Sequence, residues 1–275
     1  MKNNLGLIVS DNPISRAYIN LFIKEKIFFD KIIYLMPNCF FFKKIFALKN
    51  FYKNNYFALK FLKQAKYEKI INQIENYFKV EKGFCNEMYR FSNLFEISKE
   101  IVFANDSSIN SISNLNILKS FKETIFLNTG NEILKDVFSL KHKFIHIHPG
   151  YLPLVKGADG TLWHIKNHEF LGVTSFFMTQ KIDEGYIISR EKFSLPNFEK
   201  GNLKNIDIKT LYRFWFSFFD PLLRSIHLKK ILKENLNFEK IKKDNQFTNH
   251  NQTKGNYYSF MKNSDIELVF KKIFK

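Results

Sequence analysis

The feature that most narrows the fold of this chain is an alternation over its first 150 residues. Short unbroken apolar runs are separated by stretches of helical periodicity. Residues 5–10 (LGLIVS) form the first run, as in a parallel strand covered on both faces, and Asp11-Asn12-Pro13 ends it. Over 15–26, Tyr18, Leu21, Phe22 and Ile23 recur near helical spacing. The same reasoning predicts strands at 31–36, 101–105, 124–127 and 144–148, one or two helices over 40–80, and helices at 111–121 and 132–140. Strands that alternate with helices imply an α/β fold with a doubly wound, mostly parallel, Rossmann-like sheet. Past residue 196 the pattern loosens. Residues 206–235 read as a long aromatic-rich helix broken near Pro221, 244–255 as a polar loop, and 257–275 as a short strand or turn before a terminal helix. The expected organisation is one principal domain over 1–196 and a small, mainly helical C-terminal region over 197–275.

Composition excludes several classes. With 45% hydrophobic residues, 33 Phe among them, the 275-residue chain can bury a core and is no disordered segment. Its two cysteines, Cys39 and Cys85, exclude a disulfide framework or a multi-cysteine zinc site, and neither has a base partner in view. The longest apolar candidate, 27–48, is interrupted by Asp30, Lys31, Pro37, Lys43 and Lys44, so no membrane span is expected. The N-terminal run reads as a strand and not as a secretory leader, and a cytoplasmic location follows as the expectation. The net charge of +17 is carried by 43 basic against 26 acidic residues, but only five of the basic ones are Arg. Arg is the residue suited to bidentate phosphate and base contacts, so dispersed lysine reads mainly as solvated surface, and a nucleic-acid partner is not expected.

Special residues concentrate between 144 and 188, where five of the ten glycines fall within 36 residues. His146 and His148 lie two apart at the end of a strand, so they project from one face. Pro149-Gly150-Tyr151-Leu152-Pro153 then forces a turn. Ligands of open parallel sheets bind beyond the carboxyl ends of strands. A second turn, Ile182-Asp183-Glu184-Gly185, supplies a carboxylate, and a histidine oriented by a carboxylate is the minimum for general-base chemistry. Two His and one Asp are a poor metal set, because no further ligand stands at typical spacing, and no metal is expected.

These residues resemble the folate-dependent formyltransferases. His148-Pro149-Gly150-Tyr151-Leu152-Pro153 is similar to the family's His-Pro-Ser-Leu-Leu-Pro element. Gly157-Ala158, Gly172-Val173-Thr174 and Asp183-Glu184-Gly185-Tyr186-Ile187 follow in family order. Upstream, Gly130-Asn131-Glu132-Ile133-Leu134 resembles the folate-pocket segment, and the likeness spans about residues 100–195. It implies that residues 1–196 form a formyltransferase catalytic domain. It also implies His148 as the catalytic histidine, Asp183 as its supporting carboxylate, and His146 where the family has Asn. An imidazole N–H can donate to a developing oxyanion as an Asn amide does. By the same resemblance Gly130, Ile133, Leu134, Thr179, Gln180 and Ile182 hold the folate, and Asn12, Tyr151 and Lys156 meet the second substrate.

The resemblance implies transfer of a formyl group from N10-formyltetrahydrofolate, the cosubstrate, to a primary amine. Among family acceptors an amino sugar fits best, nucleotide-linked and destined for a surface glycan such as lipopolysaccharide. The purine-pathway enzymes end sooner, and the tRNA enzymes add a β-barrel that the helical 197–275 region does not resemble. A methionyl-tRNA formyltransferase-like enzyme, a formyltetrahydrofolate hydrolase and a non-catalytic RNA-binding protein on this scaffold are the alternatives. The basic balance suits a polyglutamylated folate and a nucleotide diphosphate. His164 and His168 read as surface or partly packed residues. Trp215 with its neighbouring phenylalanines reads as a buried helix face or the interface of a homodimer.

Overall fold

The computed structural model describes residues 5–36, 43–104, 106–122, 124–199, 206–233 and 255–275. Strand β1 (Leu5–Val9) pairs in parallel with β2 (Lys31–Leu35) on one side and β4 (Ile125–Asn128) on the other. Parallel β3 (Ile101–Ala104) extends the sheet beyond β2, and parallel β5 (Lys143–His148) extends it beyond β4. Two antiparallel strands, β7 (Phe170–Phe177) and β8 (Tyr186–Ser194), complete a seven-stranded sheet in the order β3-β2-β1-β4-β5-β7-β8. The winding reverses between β1 and β4, which opens a crevice at their carboxyl ends.

Both faces of the parallel centre of the sheet are covered, which is why β1, β2 and β4 lack polar alternation. On one face Leu7 and Val9 pack with Tyr18 and Phe22 of α1 (Pro13–Glu25) and with Trp215, Phe218 and Phe219 of α7 (Ile208–Lys233). On the other face Ile8, Ile33, Phe126 and Phe144 pack against Leu118 of α5 (Ile112–Ser120). The long helix is thus part of the main core, and Trp215 lies on a buried helix face, 1% exposed. The boundary at 196/197 marks a change of sequence pattern; physically, α7 completes the layer that α1 begins. The remaining α-helices among the described residues are α2 (Lys43–Leu62), α3 (Glu68–Phe78), the single turn α4 (Phe84–Glu87), α6 (Gly160–Asn167) and α8 (Asn263–Ile273).

Three local expectations are corrected. Helix α7 is not broken at Pro221 but runs through it. Proline removes the N–H that would bond the carbonyl four residues back, and that carbonyl, Ser217 O, accepts the Tyr89 hydroxyl instead. Residues 132–140 form only a 3-10 turn at Asp136–Ser139. Side chains hold the segment open: the Glu132 carboxylate accepts from Ser108, Asn110 and the Ile109 N–H, and Asn110 Oδ1 accepts from Lys135 N. Residues 155–157 form an unanticipated strand, β6 (Val155–Gly157), paired in parallel with β9 (Asn256–Tyr258). Gly157 has φ +90°, and a Cβ there would lie 2.3 Å from Tyr258 O, so this pairing needs glycine. Cys39 and the polar loop at 244–254 lie outside the described residues.

Candidate active site

The cleft at the carboxyl ends of β1, β4 and β5 encloses about 810 Å³, within the range of small-molecule sites. Its floor is stapled across the point where the winding reverses. Thr129 Oγ1 donates to Ile8 O and accepts from Ser10 N, while Asn12 Nδ2 donates to Thr129 O. Asn12 also caps α1: its Oδ1 accepts from Ser15 N and its own N–H donates to Ser15 Oγ. Asn12 therefore lines the cleft with its amide already committed to the scaffold.

His146 and His148 both reach the cleft from β5, and Asp183 reaches it from the loop after β7. His148 is 3% exposed, with Nε2 2.9 Å from Val155 O and Nδ1 3.5 Å from Asp183 Oδ2. A carbonyl only accepts, so the ring proton stands on Nε2, and Nδ1 is left with its lone pair on the Asp183 side. Asp183 is itself fixed, with Oδ2 accepting from Gly157 N at 2.7 Å. Gly150, where the resembling family has Ser, explains how His148 fits. A Cβ at 150 would lie 2.4 Å from His148 Nε2 and 2.6 Å from Val155 O, inside the bond that orients the ring.

His146 has another character. Burial, and next the Arg224 charge, lower its pKa from 6.5 to about 3, so the imidazole is neutral. Its Nδ1 is shut off from solvent and has no partner, and its ring meets Phe176 edge-on. Arg224 Nε donates to Asp220 Oδ2 at 2.7 Å, and its Nη1 donates to Ile147 O at 2.8 Å. Residue 147 separates the two histidines, so this buried ion pair on α7 fixes the backbone that carries both. Asp220 and Arg224 also line the cleft, and sequence reasoning missed them. Two opposite charges four apart inside an otherwise apolar, aromatic helix were the available signal.

The wall opposite the sheet comes from the C-terminal region: Tyr212, Phe216, Tyr257, Tyr258 and Phe260. Asp159 joins this wall to the rest, its carboxylate accepting from Tyr212 Oη at 2.7 Å and Met261 N at 2.8 Å. Burial raises its pKa. Gly130, Ile133, Leu134, Thr179, Gln180 and Ile182 all line the other half of the cleft, with Phe176 and Met178 adding apolar surface.

Two expected substrate contacts lie elsewhere. Tyr151 packs on Phe170 and beneath the cations of Arg190 and Lys192. Lys156 is 1% exposed; its Nζ pairs with Glu184 Oε1 at 2.9 Å, and that hydrogen bond leads the lowering of the Glu184 pKa. Neither residue is in the lining, because strand β6 turns Lys156 toward β9 and the loop after β5 turns Tyr151 toward β7. His164 is fully buried and not at the surface: its Nε2 accepts from Tyr151 N at 2.7 Å and so anchors that same loop. The described lining carries four carboxylates (Glu132, Asp159, Asp183, Asp220) against Lys181 and Arg224, so the chain's positive charge is not focused into the cleft.

No protein family and no curated protein matches the chain. Among solved structures it is similar to a sugar N-formyltransferase from Shewanella sp FDAARGOS_354, at 16% identity over 96% of this chain and 86% of that one, with a TM-score of 0.48. It is similar also to a 4-N formyltransferase from Francisella tularensis, at 18% identity over 93% and 76% of the two chains, TM-score 0.48. A third is WlaRD, a sugar 3N-formyl transferase solved in the presence of dTDP and 5-N-formyl-THF, at 17% identity over 94% and 70%, TM-score 0.45. At these identities and scores the chemistry must be argued from the cleft's own residues.

Proposed function

We propose that the protein is a folate-dependent N-formyltransferase acting on the primary amine of an amino sugar. The observation that carries this reading is the His148–Asp183 pair, set beside a neutral His146 at the carboxyl end of β5 in a cleft with one apolar and one carboxylate-bearing half. The apolar half fits a pterin ring: Leu134, Phe176 and Met178 offer surface for stacking. N10-formyltetrahydrofolate, when bound there, supplies the formyl group.

The chain's own residues account for the rest. The acceptor must lose a proton as its nitrogen bonds to the formyl carbon and the bond from that carbon to the folate nitrogen breaks. His148 Nδ1 has the free lone pair to take that proton, with Asp183 Oδ2 beside it to stabilise the imidazolium. The same pair returns the proton to the departing nitrogen, so the cycle closes without net proton change. His146, as a neutral ring, carries a single N–H, and offering it to the formyl oxygen means giving up the ring's hydrogen bond to the Asn128 backbone. Asp159 in the opposite half offers the neutral amino group of the acceptor a hydrogen-bond acceptor. A nucleotide carrier is supported by the aromatic rim of Phe216, Tyr257, Tyr258 and Phe260, which offers stacking surface for a base.

The test is to incubate the protein with N10-formyltetrahydrofolate and a panel of amines: nucleotide-linked 3-amino and 4-amino sugars, free amino sugars, glycinamide ribonucleotide and methionyl-tRNA. Tetrahydrofolate release that depends on an amino sugar, and falls about a thousandfold in His148→Ala and Asp183→Ala, is expected. Release with no amine present, or transfer that survives both substitutions, overturns the reading.

A further inference from the structure

The excess positive charge is not focused into the cleft, and the longest stretch of the chain without an acidic residue covers α2. From Lys31 to Tyr67 the sequence holds eight Lys and no Asp or Glu. The inner face of α2 is sealed by Phe51, Asn55, Ala58 and Phe61, all 3% exposed or less. Its outer face is unusual for a solvated helix. Ile45 (63% exposed), Leu48 (45%), Tyr52 (54%) and Tyr56 (55%) follow at intervals of three or four and form one stripe. Lys49, Lys53 and Lys60 are exposed on the same side. Phe91, 51% exposed, widens the stripe, since both its ring and that of Tyr52 touch Phe51, at 5.3 and 5.6 Å.

We propose that this face of α2 docks on an anionic phospholipid bilayer. Three observations select a lipid surface. Aliphatic side chains and tyrosines share one face, the composition of a helix lying in the interfacial plane, where Ile and Leu enter the acyl boundary and Tyr sits at headgroup level. The exposed cations along the stripe on α2 itself, Lys49, Lys53 and Lys60, are Lys, whose long stems carry the charge out to headgroups without the bidentate geometry that nucleic-acid recognition favours. No carboxylate within the block opposes a negative surface. No described helix is long and apolar enough to cross a membrane, so contact would be at the surface. The proposal stands apart from the formyl-transfer reading, since vesicle binding needs no catalysis.

The experiment is co-sedimentation of the full chain with vesicles of phosphatidylcholine alone or mixed with phosphatidylglycerol, at low and high salt. Binding to the mixed vesicles only, weakened by salt, is expected. Replacing Lys49, Lys53 and Lys60 by Gln should lower the partition coefficient about a hundredfold, at about fivefold per lysine. Ile45→Ser with Tyr52→Ser should weaken binding at unchanged charge and leave the circular dichroism spectrum as in wild type, because both side chains point outward. The proposal fails if wild type ignores the phosphatidylglycerol vesicles, or if the Ile45/Tyr52 variant sediments as wild type does. It fails equally if the lysine substitutions abolish binding of a single-stranded RNA oligonucleotide while leaving vesicle binding intact, which would identify nucleic acid as the partner.

Discussion

Gly150→Ala tests how the candidate catalytic histidine is held. The backbone at 150 is not left-handed, so alanine meets no conformational penalty there, and the cost is steric. The new Cβ would lie 2.4 Å from His148 Nε2, 2.8 Å from its Cδ2 and 2.6 Å from Val155 O. Ordinary contact requires about 3.5 Å, so ring and carbonyl must separate by about 1 Å. The 2.9 Å bond between them is then lost. A buried hydrogen bond left unmade costs about 1–3 kcal/mol, and overpacking adds about 1–3 kcal/mol. The lower chain entropy of the unfolded alanine variant offsets about 0.4–1 kcal/mol. A net loss of about 2–4 kcal/mol follows, a fall of roughly 5–12 °C in melting temperature for a chain of this size. A displacement of about 1 Å at the reacting group should reduce kcat about a hundredfold. Calorimetry and formyl-transfer kinetics read the two effects. In a His148→Ala background much of the clash is gone, so the same substitution should cost at least about 1 kcal/mol less. Wild-type melting and turnover in Gly150→Ala, or equal costs in both backgrounds, would refute the claim that glycine at 150 positions His148.

Stability should depend on pH through half-buried His146 and fully buried His164. Burial, as the leading cause, depresses both His146 and His164 to about 3. The unfolded chain takes up protons below about 6.5 that the folded chain refuses, so stability is full above that pH and falls as pH drops toward 3. Each residue contributes a slope of up to about 1.4 kcal/mol per pH unit, and His164→Gln should flatten the melting-temperature profile between pH 6 and 4. Arg224→Met leaves Asp220, 1% exposed, without its partner and should cost about 3–5 kcal/mol; adding Asp220→Leu should recover most of that loss, as a double-mutant cycle would show. Tyr89→Phe strands Ser217 O opposite Pro221 and should destabilise the protein by about 1–3 kcal/mol in denaturant unfolding, whereas a redundant contact predicts no change.

Much of the sheet is legible in the sequence because strands covered on both faces must be apolar throughout. The run at 5–9 needs only its composition to be recognised as a central strand. The two-residue period of β5 likewise suffices to put His146 and His148 on one face. Segments whose conformation depends on partners distant in sequence are not legible. Apolar spacing at 132–140 suggests a helix, but Glu132 and Lys135 are tied to the 108–110 loop. Pro221 signals a break in any isolated helix, and only Tyr89, more than a hundred residues away, relieves the carbonyl it frees.

The sequence by itself therefore determined the class of sheet, the strand that carries the histidines and the turn that carries Asp183, since each follows from local periodicity or turn chemistry. Tertiary structure alone decided the rest. It brought Asp183 to 3.5 Å from His148, set Asp220 and Arg224 behind the backbone between the histidines, and turned Tyr151 and Lys156 away from the cleft. It also kept Lys49, Lys53 and Lys60 on the outer face of α2 and out of the cleft. The physical reason is the same in each case. A side chain's direction and the partner it meets are set by packing between elements far apart in the chain, and local pattern holds no record of that packing.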